Sequence, residues 1–116
     1  LDIATICREE LLEEIGYDVP VKNLQFVNSY FTTLTRSTGK FYLYYCEVDD
    51  SMRVSSGGGV FDEGESIGIV EVTVEEARQL LQNTQNAAVS PGLLYAISWW
   101  FLFKKPTLDK PQTSNS

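Results

Sequence analysis

Residues 3–16 of the chain, IATICREELLEEIG, place apolar side chains at the spacing of one face of an α-helix. The apolar residues on that face are Ala4, Leu11, Leu12 and Ile15. Asp2 precedes the stretch as a suitable N-cap, and Gly16 follows it as the residue that commonly becomes left-handed after a helix ends. The sequence therefore predicts an amphipathic helix over residues 3–15.

Four glutamates lie at the C-terminal end of this helix. Glu10, Glu13 and Glu14 fall within about 100° of arc on one face, and Glu9 flanks them. Like charges four residues apart destabilise a helix by roughly 0.2–0.5 kcal/mol, and the macrodipole opposes anions at a helix C-terminus. A bound divalent cation would relieve this repulsion, because hard cations prefer carboxylate oxygens. The alternative is an ordinary solvated acidic face.

Composition limits the classes of function. The chain has 116 residues, 43% hydrophobic and 22% charged, which predicts one globular domain and excludes intrinsic disorder as the main state. The net charge of -7 lacks the electrostatic footprint of a nucleic-acid-binding protein, so we expect no nucleic-acid partner. Because the chain has no histidine, we expect any acid–base or metal chemistry to come from carboxylates.

The remaining sequence predicts an α-β-β-β-α-α order, typical of an α+β or mixed-sheet domain. The expected elements are strands at 24–30 and 40–48 joined by a turn at 36–39, a loop at 49–65, a strand at 67–72, a helix at 74–81, a helix from 91 to about 103, and a flexible polar tail at 104–116. Thr73-x-x-Glu76 is a capping-box signature. Ser90-Pro91 is an N-cap followed by a proline at the first helical position.

The loop holds a glycine run, residues 57–59, followed by the carboxylates Asp62, Glu63 and Glu65. Glycine allows a backbone to approach a ligand closely and allows a loop to move. A carboxylate on such a loop, facing a helix that holds a metal, could take a proton from an attacking water. A disordered acidic loop is the alternative.

Other features suggest a soluble cytoplasmic chain without a membrane partner. The first residues do not show the positively charged segment followed by an apolar stretch that is typical of a signal peptide. The apolar run 96–103 is about half the length that spans a bilayer. Cys7 and Cys46 are expected to be free thiols. Because helical periodicity begins at once, we expect the chain to be a fragment of a longer protein.

The helix predicted over residues 3–15, here called the acidic helix, resembles a known motif. Glu10-Leu11-Leu12-Glu13-Glu14-Ile15-Gly16-Tyr17 resembles the second half of the Nudix box, Arg-Glu-apolar-x-Glu-Glu-x-Gly-apolar. Gly57-Gly58-Gly59 with Glu63-Gly64-Glu65, and then Pro91-x-x-Leu94 with Ile97-Ser98-Trp99, are similar to the UDP-sugar diphosphatase (UDP-glucose pyrophosphatase) branch of the Nudix hydrolases, a close relative of the ADP-ribose diphosphatases. The resemblance runs from Leu1 to about Phe103.

The resemblance implies a function and a set of roles. Glu10, Glu13 and Glu14 would bind Mg²⁺, with Mn²⁺ as the alternative ion and Glu14 as the firmest ligand. Glu63 would be the general base and Glu65 a further metal ligand, although these two roles could be exchanged. The implied reaction is hydrolysis of the diphosphate of a nucleotide sugar, UDP-glucose giving UMP and glucose 1-phosphate. The alternatives are an ADP-ribose diphosphatase and a catalytically inactive Nudix-like binding chain or fragment.

The chain departs from the motif at two positions. Glu9 stands where the motif has arginine, and Arg8 lies one residue early. Leu1 stands where the box has its earlier glutamate. The resemblance therefore implies the C-terminal part of a Nudix α/β/α sandwich with a mixed sheet, with residues 1–103 as a domain whose N-terminal part is missing. It also implies a homodimer in the full-length form.

Three cations and several aromatic residues are weaker candidates for substrate contacts. Arg36, Lys40 and Arg53 could bind phosphates, but such residues are more often ordinary surface charges. The strand aromatics could stack on a uracil base or could pair across the strands. These are Tyr30, Phe31, Tyr42, Tyr44 and Tyr45.

Overall fold

A computed structural model describes residues 2–34, 37–57, 71–83 and 89–110. The chain divides into two compact units, Leu1–Ile69 and Val70–Ser116. The described residues form helices and one antiparallel two-stranded sheet, which agrees with an α+β class. The strand expected at 67–72 falls largely outside the described residues, and residues 71–72 have no regular secondary structure.

The first unit begins with helix α1, Ile3–Glu10. Asp2 caps it, because the Asp2 carboxylate accepts a hydrogen bond of 2.7 Å from the Thr5 amide. The helix continues as a π-helical turn, Leu11–Ile15, and ends at Gly16 with a left-handed φ of 86°. The predicted N-cap, the helix through residue 15 and the C-terminal glycine are confirmed, but the last turn is π-helical instead of α-helical.

The sheet is a hairpin of β1, Gln25–Leu34, and β2, Ser37–Tyr45. A β-bulge interrupts the register between Phe26 and Asn28, and Tyr30 stacks on its cross-strand partner Phe41 with ring centroids 5.9 Å apart. The turn expected at residues 36–39 is wrong in part, because residues 37–39 pair with β1 and extend the strand. Cross-strand hydrogen bonding outweighs the turn propensity of these polar residues.

The segment after β2 is more ordered than the loop predicted there. A short 3₁₀ helix, Asp50–Met52, is capped by Asp49, whose carboxylate accepts a hydrogen bond of 2.9 Å from the Ser51 amide. Arg53 then forms an antiparallel bridge with Tyr17. The remainder of the predicted loop, residues 58–65, lies outside the described residues.

The second unit contains α2, Val74–Gln82, and α3, Pro91–Trp99, which is followed by a π-helical turn, Trp100–Lys104, and by α4, Lys105–Leu108. Helical structure thus continues past residue 103, where a polar tail was expected. The Thr107 hydroxyl donates to the Lys104 carbonyl, and Lys105 pairs with Asp109, which supports this extra turn. Residues 111–116 of the expected tail are outside the described ranges.

Few described side chains are fully buried. Val19 in the first unit has no exposed surface and Ala77 in the second is 8% exposed, whereas Phe31 is 70% and Leu102 is 67% exposed. Each unit therefore leaves large apolar side chains uncovered within the described part of the chain. None of the helices in that part is both long and apolar enough to cross a membrane.

Candidate carboxylate site

The three helix glutamates lie in different environments, although one continuous helical segment carries them. Glu10 is the last residue of α1, and Glu13 and Glu14 lie in the π-helical turn that follows. Glu10 and Glu13 are exposed, whereas Glu14 is half-buried and its Oε2 atom is shielded from solvent. Of the three carboxylates, Glu14 is thus the one directed toward the body of the first unit.

The π-helical turn gives this end of the helix its geometry. The Gly16 amide donates to the Leu11 carbonyl, five residues back, and to the Leu12 carbonyl, each at 3.1 Å. A π-helical turn widens the helix locally, and such turns recur at functional sites. The angular spacing of Glu13 and Glu14 therefore differs from that of the ideal α-helix assumed from the sequence.

A distant segment closes the C-terminal end of the helix. The Val54 amide donates to the Gly16 carbonyl at 2.8 Å, and the Asp18 amide donates to the Met52 carbonyl at 2.8 Å. These bonds flank the bridge between Tyr17 and Arg53. The residues that lead into the glycine run are therefore held against the end of the acidic helix.

Two glycines make this approach possible. Gly16 and Gly57 both have a positive φ, at 86° and 78°. A Cβ on Gly16 would overlap the Ser55 carbonyl oxygen, and a Cβ on Gly57 would lie 2.5 Å from the Glu14 carbonyl oxygen. A side chain at either position would force the two backbones apart, so glycine is required here for space as well as for conformation.

The donor chemistry of the segment fits a hard divalent cation. The ligand candidates are carboxylates, and neither histidine nor a converging thiol is among them. Mg²⁺ takes such oxygens together with substrate phosphates. No three carboxylate, thiol or imidazole groups converge into a metal-binding cluster within residues 2–34, 37–57, 71–83 and 89–110. Glu10, Glu13 and Glu14 by themselves therefore do not form such a cluster, and Glu63 and Glu65 lie outside the described residues.

Arg8 has a partner that the sequence did not indicate. Its guanidinium donates to the Asp18 carboxylate at 2.8 Å, and both side chains are partly exposed. Arg8 thus ties α1 to the residues just after Gly16. Glu9, at the motif's arginine position, is exposed. Spacing alone could not reveal the pair, because Asp18 lies beyond the helix end.

The candidate phosphate-binding cations contact aromatic rings. The Lys40 ammonium lies 5.4 Å from the ring centroids of both Phe31 and Tyr42. The Arg53 guanidinium lies 5.4 Å from the ring centroid of Tyr17 and donates to its hydroxyl at 3.4 Å. Arg36 is outside the described residues. Of these three candidates, Arg53 is the one bridged to Tyr17, which directly follows the end of the acidic helix.

The two cysteines are free, as expected, and both are half-buried. Burial raises the pKa of the Cys7 thiol, and the neighbouring Cys46 and Glu10 raise it further. Burial also raises the pKa of Cys46. Neither thiol therefore has the depressed pKa of an activated nucleophile.

The second unit offers a concave surface without catalytic groups. A cavity of about 280 Å³ lies between α2 and α3. Its lining consists of Val72, Thr73, Val74, Ala77, Ala96, Ile97 and Trp100. Because none of these side chains titrates near neutral pH, the cavity supplies no acid, base or metal ligand.

The sequence singled out Gly57 as part of a glycine run suited to close backbone approach, but it did not indicate the contact of Gly57 with the acidic helix. It gave no indication of Ser55 and Asp18, which contribute through contacts with residues far along the chain or beyond a helix end. Nothing local marks Asp18 as the partner of Arg8.

Comparisons with known proteins add to this geometry. No protein-family model matches the chain. The chain is 31% identical over 101 residues to uridine diphosphate glucose pyrophosphatase NUDT14 of Mus musculus, covering 87% of this chain and 45% of the mouse protein. It is also 31% identical over 108 residues to the NUDT14 protein of Bos taurus, covering 93% of this chain and 48% of that protein. The chain thus spans about half the length of the curated relatives it matches.

Proposed function

Since the chain is related to the Nudix-type uridine diphosphate glucose pyrophosphatases, we propose that it hydrolyses the diphosphate of a nucleotide sugar. The proposed reaction converts UDP-glucose to UMP and glucose 1-phosphate with Mg²⁺ as the metal. The observation that carries the proposal is the placement of Glu14. This carboxylate is half-buried, and its helix end is closed by the segment that leads into the glycine run.

Each glutamate has a proposed role. Glu14 is the principal metal ligand, Glu10 and Glu13 complete the ligand set from the same helical segment, and Glu65 is a further ligand. Glu63 accepts a proton from the attacking water. The ion, when bound, would neutralise charge on the diphosphate and lower the pKa of a water. In the proposed fold, residues 1–103 are the C-terminal part of a Nudix sandwich with a mixed sheet, and the full-length protein is a homodimer.

The test measures UMP release from UDP-glucose with and without Mg²⁺, with ADP-ribose in parallel. The proposal predicts metal-dependent turnover, and Glu14→Gln should lower it at least about 100-fold, because loss of even an outer-shell partner costs 10- to 100-fold. Glu75→Gln is the matched control, because Glu75 is an exposed helical glutamate in the second unit and pairs with Arg78. Equal losses in the two variants would contradict the proposal.

Faster cleavage of ADP-ribose would keep the reaction class and change the substrate. Turnover of neither compound would favour the second candidate, an inactive Nudix-like binding chain. Two observations support that candidate: Arg8 is paired with Asp18, and Glu9 is exposed at the motif's arginine position. In a binding chain, Glu14→Gln should raise stability, because it removes repulsion between carboxylates four residues apart.

A further inference from the structure

Gly57 lies directly against the residue with the shielded carboxylate. Its Cα approaches so closely that a Cβ would stand 2.5 Å from the Glu14 carbonyl oxygen and 2.8 Å from the Ile15 carbonyl carbon. These are backbone atoms of the π-helical turn, which cannot rotate away as the end of a flexible side chain can. The contact therefore joins the start of the glycine run to the backbone of Glu14 itself.

The contact is reciprocal and braced by hydrogen bonds. A Cβ on Gly16 would meet the backbone of Ser55 and would lie 2.8 Å from the Gly57 nitrogen. The Val54 amide donates to the Gly16 carbonyl at 2.8 Å, and the Gly57 amide donates to the Ser55 hydroxyl at 3.1 Å. Residues 54–57 are thus held in one conformation against the end of the acidic helix.

The solvent exposure of the three glutamates agrees with this contact. Glu14, whose carbonyl faces Gly57, is half-buried, whereas Glu10 and Glu13 are exposed. A half-buried carboxylate has fewer rotamers available than an exposed one, so its position depends on the backbone that carries it and on the segment packed against it. Functional groups need to be held within about 0.5 Å of their productive position.

We infer that Gly57 is a positioning residue for Glu14: its bare Cα lets residues 54–57 lie against the Glu14 and Ile15 carbonyl groups, and this contact sets where the Glu14 carboxylate meets a divalent cation. The inference rests on the proposed function, because it assumes that Glu14 is a metal ligand. Gly57 acts through Glu14 and touches no substrate.

The test measures Mn²⁺ affinity directly, by the loss of the free-ion electron paramagnetic resonance signal during titration. Gly57→Ala must move the segment, because a Cβ would approach the Glu14 carbonyl oxygen more closely than van der Waals contact allows. We expect the dissociation constant for Mn²⁺ to rise at least about 10-fold, as for loss of an outer-shell partner. Far-UV circular dichroism at the same temperature establishes that the variant is folded.

Gly39→Ala is the matched glycine control. Gly39 lies in β2, where a Cβ would make an ordinary contact of 3.6 Å with the Phe41 ring, so Mn²⁺ affinity should not change. A folded Gly57→Ala chain that binds Mn²⁺ as tightly as the wild type overturns the inference and leaves the proposed function standing. A wild-type chain that binds no Mn²⁺ overturns the proposed function and the inference with it.

A pair of milder serine variants tests the inference if Gly57→Ala does not fold. Ser55→Ala adds no atoms and removes the hydroxyl that accepts a hydrogen bond from the Gly57 amide. Ser55 is exposed. We expect this substitution to weaken Mn²⁺ binding about fivefold, less than Gly57→Ala, since a single hydrogen bond contributes about 1 kcal/mol and about 1.4 kcal/mol corresponds to tenfold. Ser56→Ala, at the adjacent exposed position, should leave the affinity unchanged. Equal affinities in the two serine variants overturn the inference.

Discussion

The first turn of α2 and the last turn of the acidic helix are both completed by hydrogen bonds outside the regular intrahelical pattern. The partners in these bonds lie at different distances along the chain. At α2, the Thr73 hydroxyl accepts from the Glu76 amide at 3.0 Å and the Glu76 carboxylate accepts from the Thr73 amide at 2.9 Å. At the acidic helix, the Gly16 carbonyl accepts from Val54. One end is closed within four residues, and the other depends on a segment more than thirty residues away.

The difference shows which parts of the molecule can be changed independently. The α2 cap forms whenever the local chain is helical, because both partners lie in the same turn. The start of α3 is similar, since the Ser90 hydroxyl accepts from the Leu93 amide at 3.1 Å. The end of the acidic helix exists only when the segment from Met52 to Gly57 packs against it, so the candidate site depends on tertiary structure.

The largest expected effect comes from breaking the distant closure. Gly16→Ala should destabilise the first unit by at least about 2 kcal/mol, because a left-handed non-glycine residue costs roughly 1–2 kcal/mol and the new Cβ also meets the Ser55 carbonyl. Amide hydrogen exchange of Val54, followed by NMR, measures the loss of stability, because the Val54 amide donates to the Gly16 carbonyl.

Gly39→Ala provides the contrast for that measurement. Its φ is not positive and its Cβ meets no backbone, so Val54 exchange should stay within a few-fold of wild type. If Gly16→Ala leaves Val54 as protected as Gly39→Ala does, the distant segment does not close the helix.

A smaller effect is expected when the local closure is broken. Thr73→Ala should destabilise α2 by about 1 kcal/mol, the usual cost of losing an N-cap side chain. Both tryptophans, Trp99 and Trp100, lie in the second unit, so tryptophan fluorescence during urea unfolding reports on this change. Glu75→Ala is the control, because Glu75 is in the same turn but only pairs with Arg78 on the surface. An unchanged midpoint for Thr73→Ala would mean that packing alone holds the start of α2.

The smallest expected effect is a pH dependence of the same cap. The hydrogen bonds from the Thr73 amide and hydroxyl hold the pKa of Glu76 below its ordinary value of 4.5. The folded pKa is depressed, so the stabilisation is present above pH 4.5 and is lost as the pH falls through the lower, folded value. The Thr73 amide chemical shift should therefore titrate with a midpoint below 4.5, and Glu76→Gln should abolish the titration. A midpoint at or above 4.5 would show that Glu76 does not accept from Thr73.

Residues that act through their neighbours in sequence were predicted well. Asp2, Gly16, Thr73 with Glu76, and Ser90 all occupy the capping positions expected of them. The hairpin was also expected, but its strands are longer toward the turn, because cross-strand pairing of residues 37–39 is a property of two strands together. Likewise, no local pattern marks the change from α- to π-helix at Leu11, which accompanies the closure at Gly16.

Helical periodicity and capping are local, so the sequence was enough to predict that Glu10, Glu13 and Glu14 share one helical segment ending at Gly16. The shielding of Glu14, beside the exposed Glu10 and Glu13, and the pairing of Arg8 with Asp18 follow from tertiary packing. The contact of Gly57 with the Glu14 backbone follows from it too. Close backbone approach between segments some forty residues apart depends on the whole path of the chain between them, which no short pattern encodes.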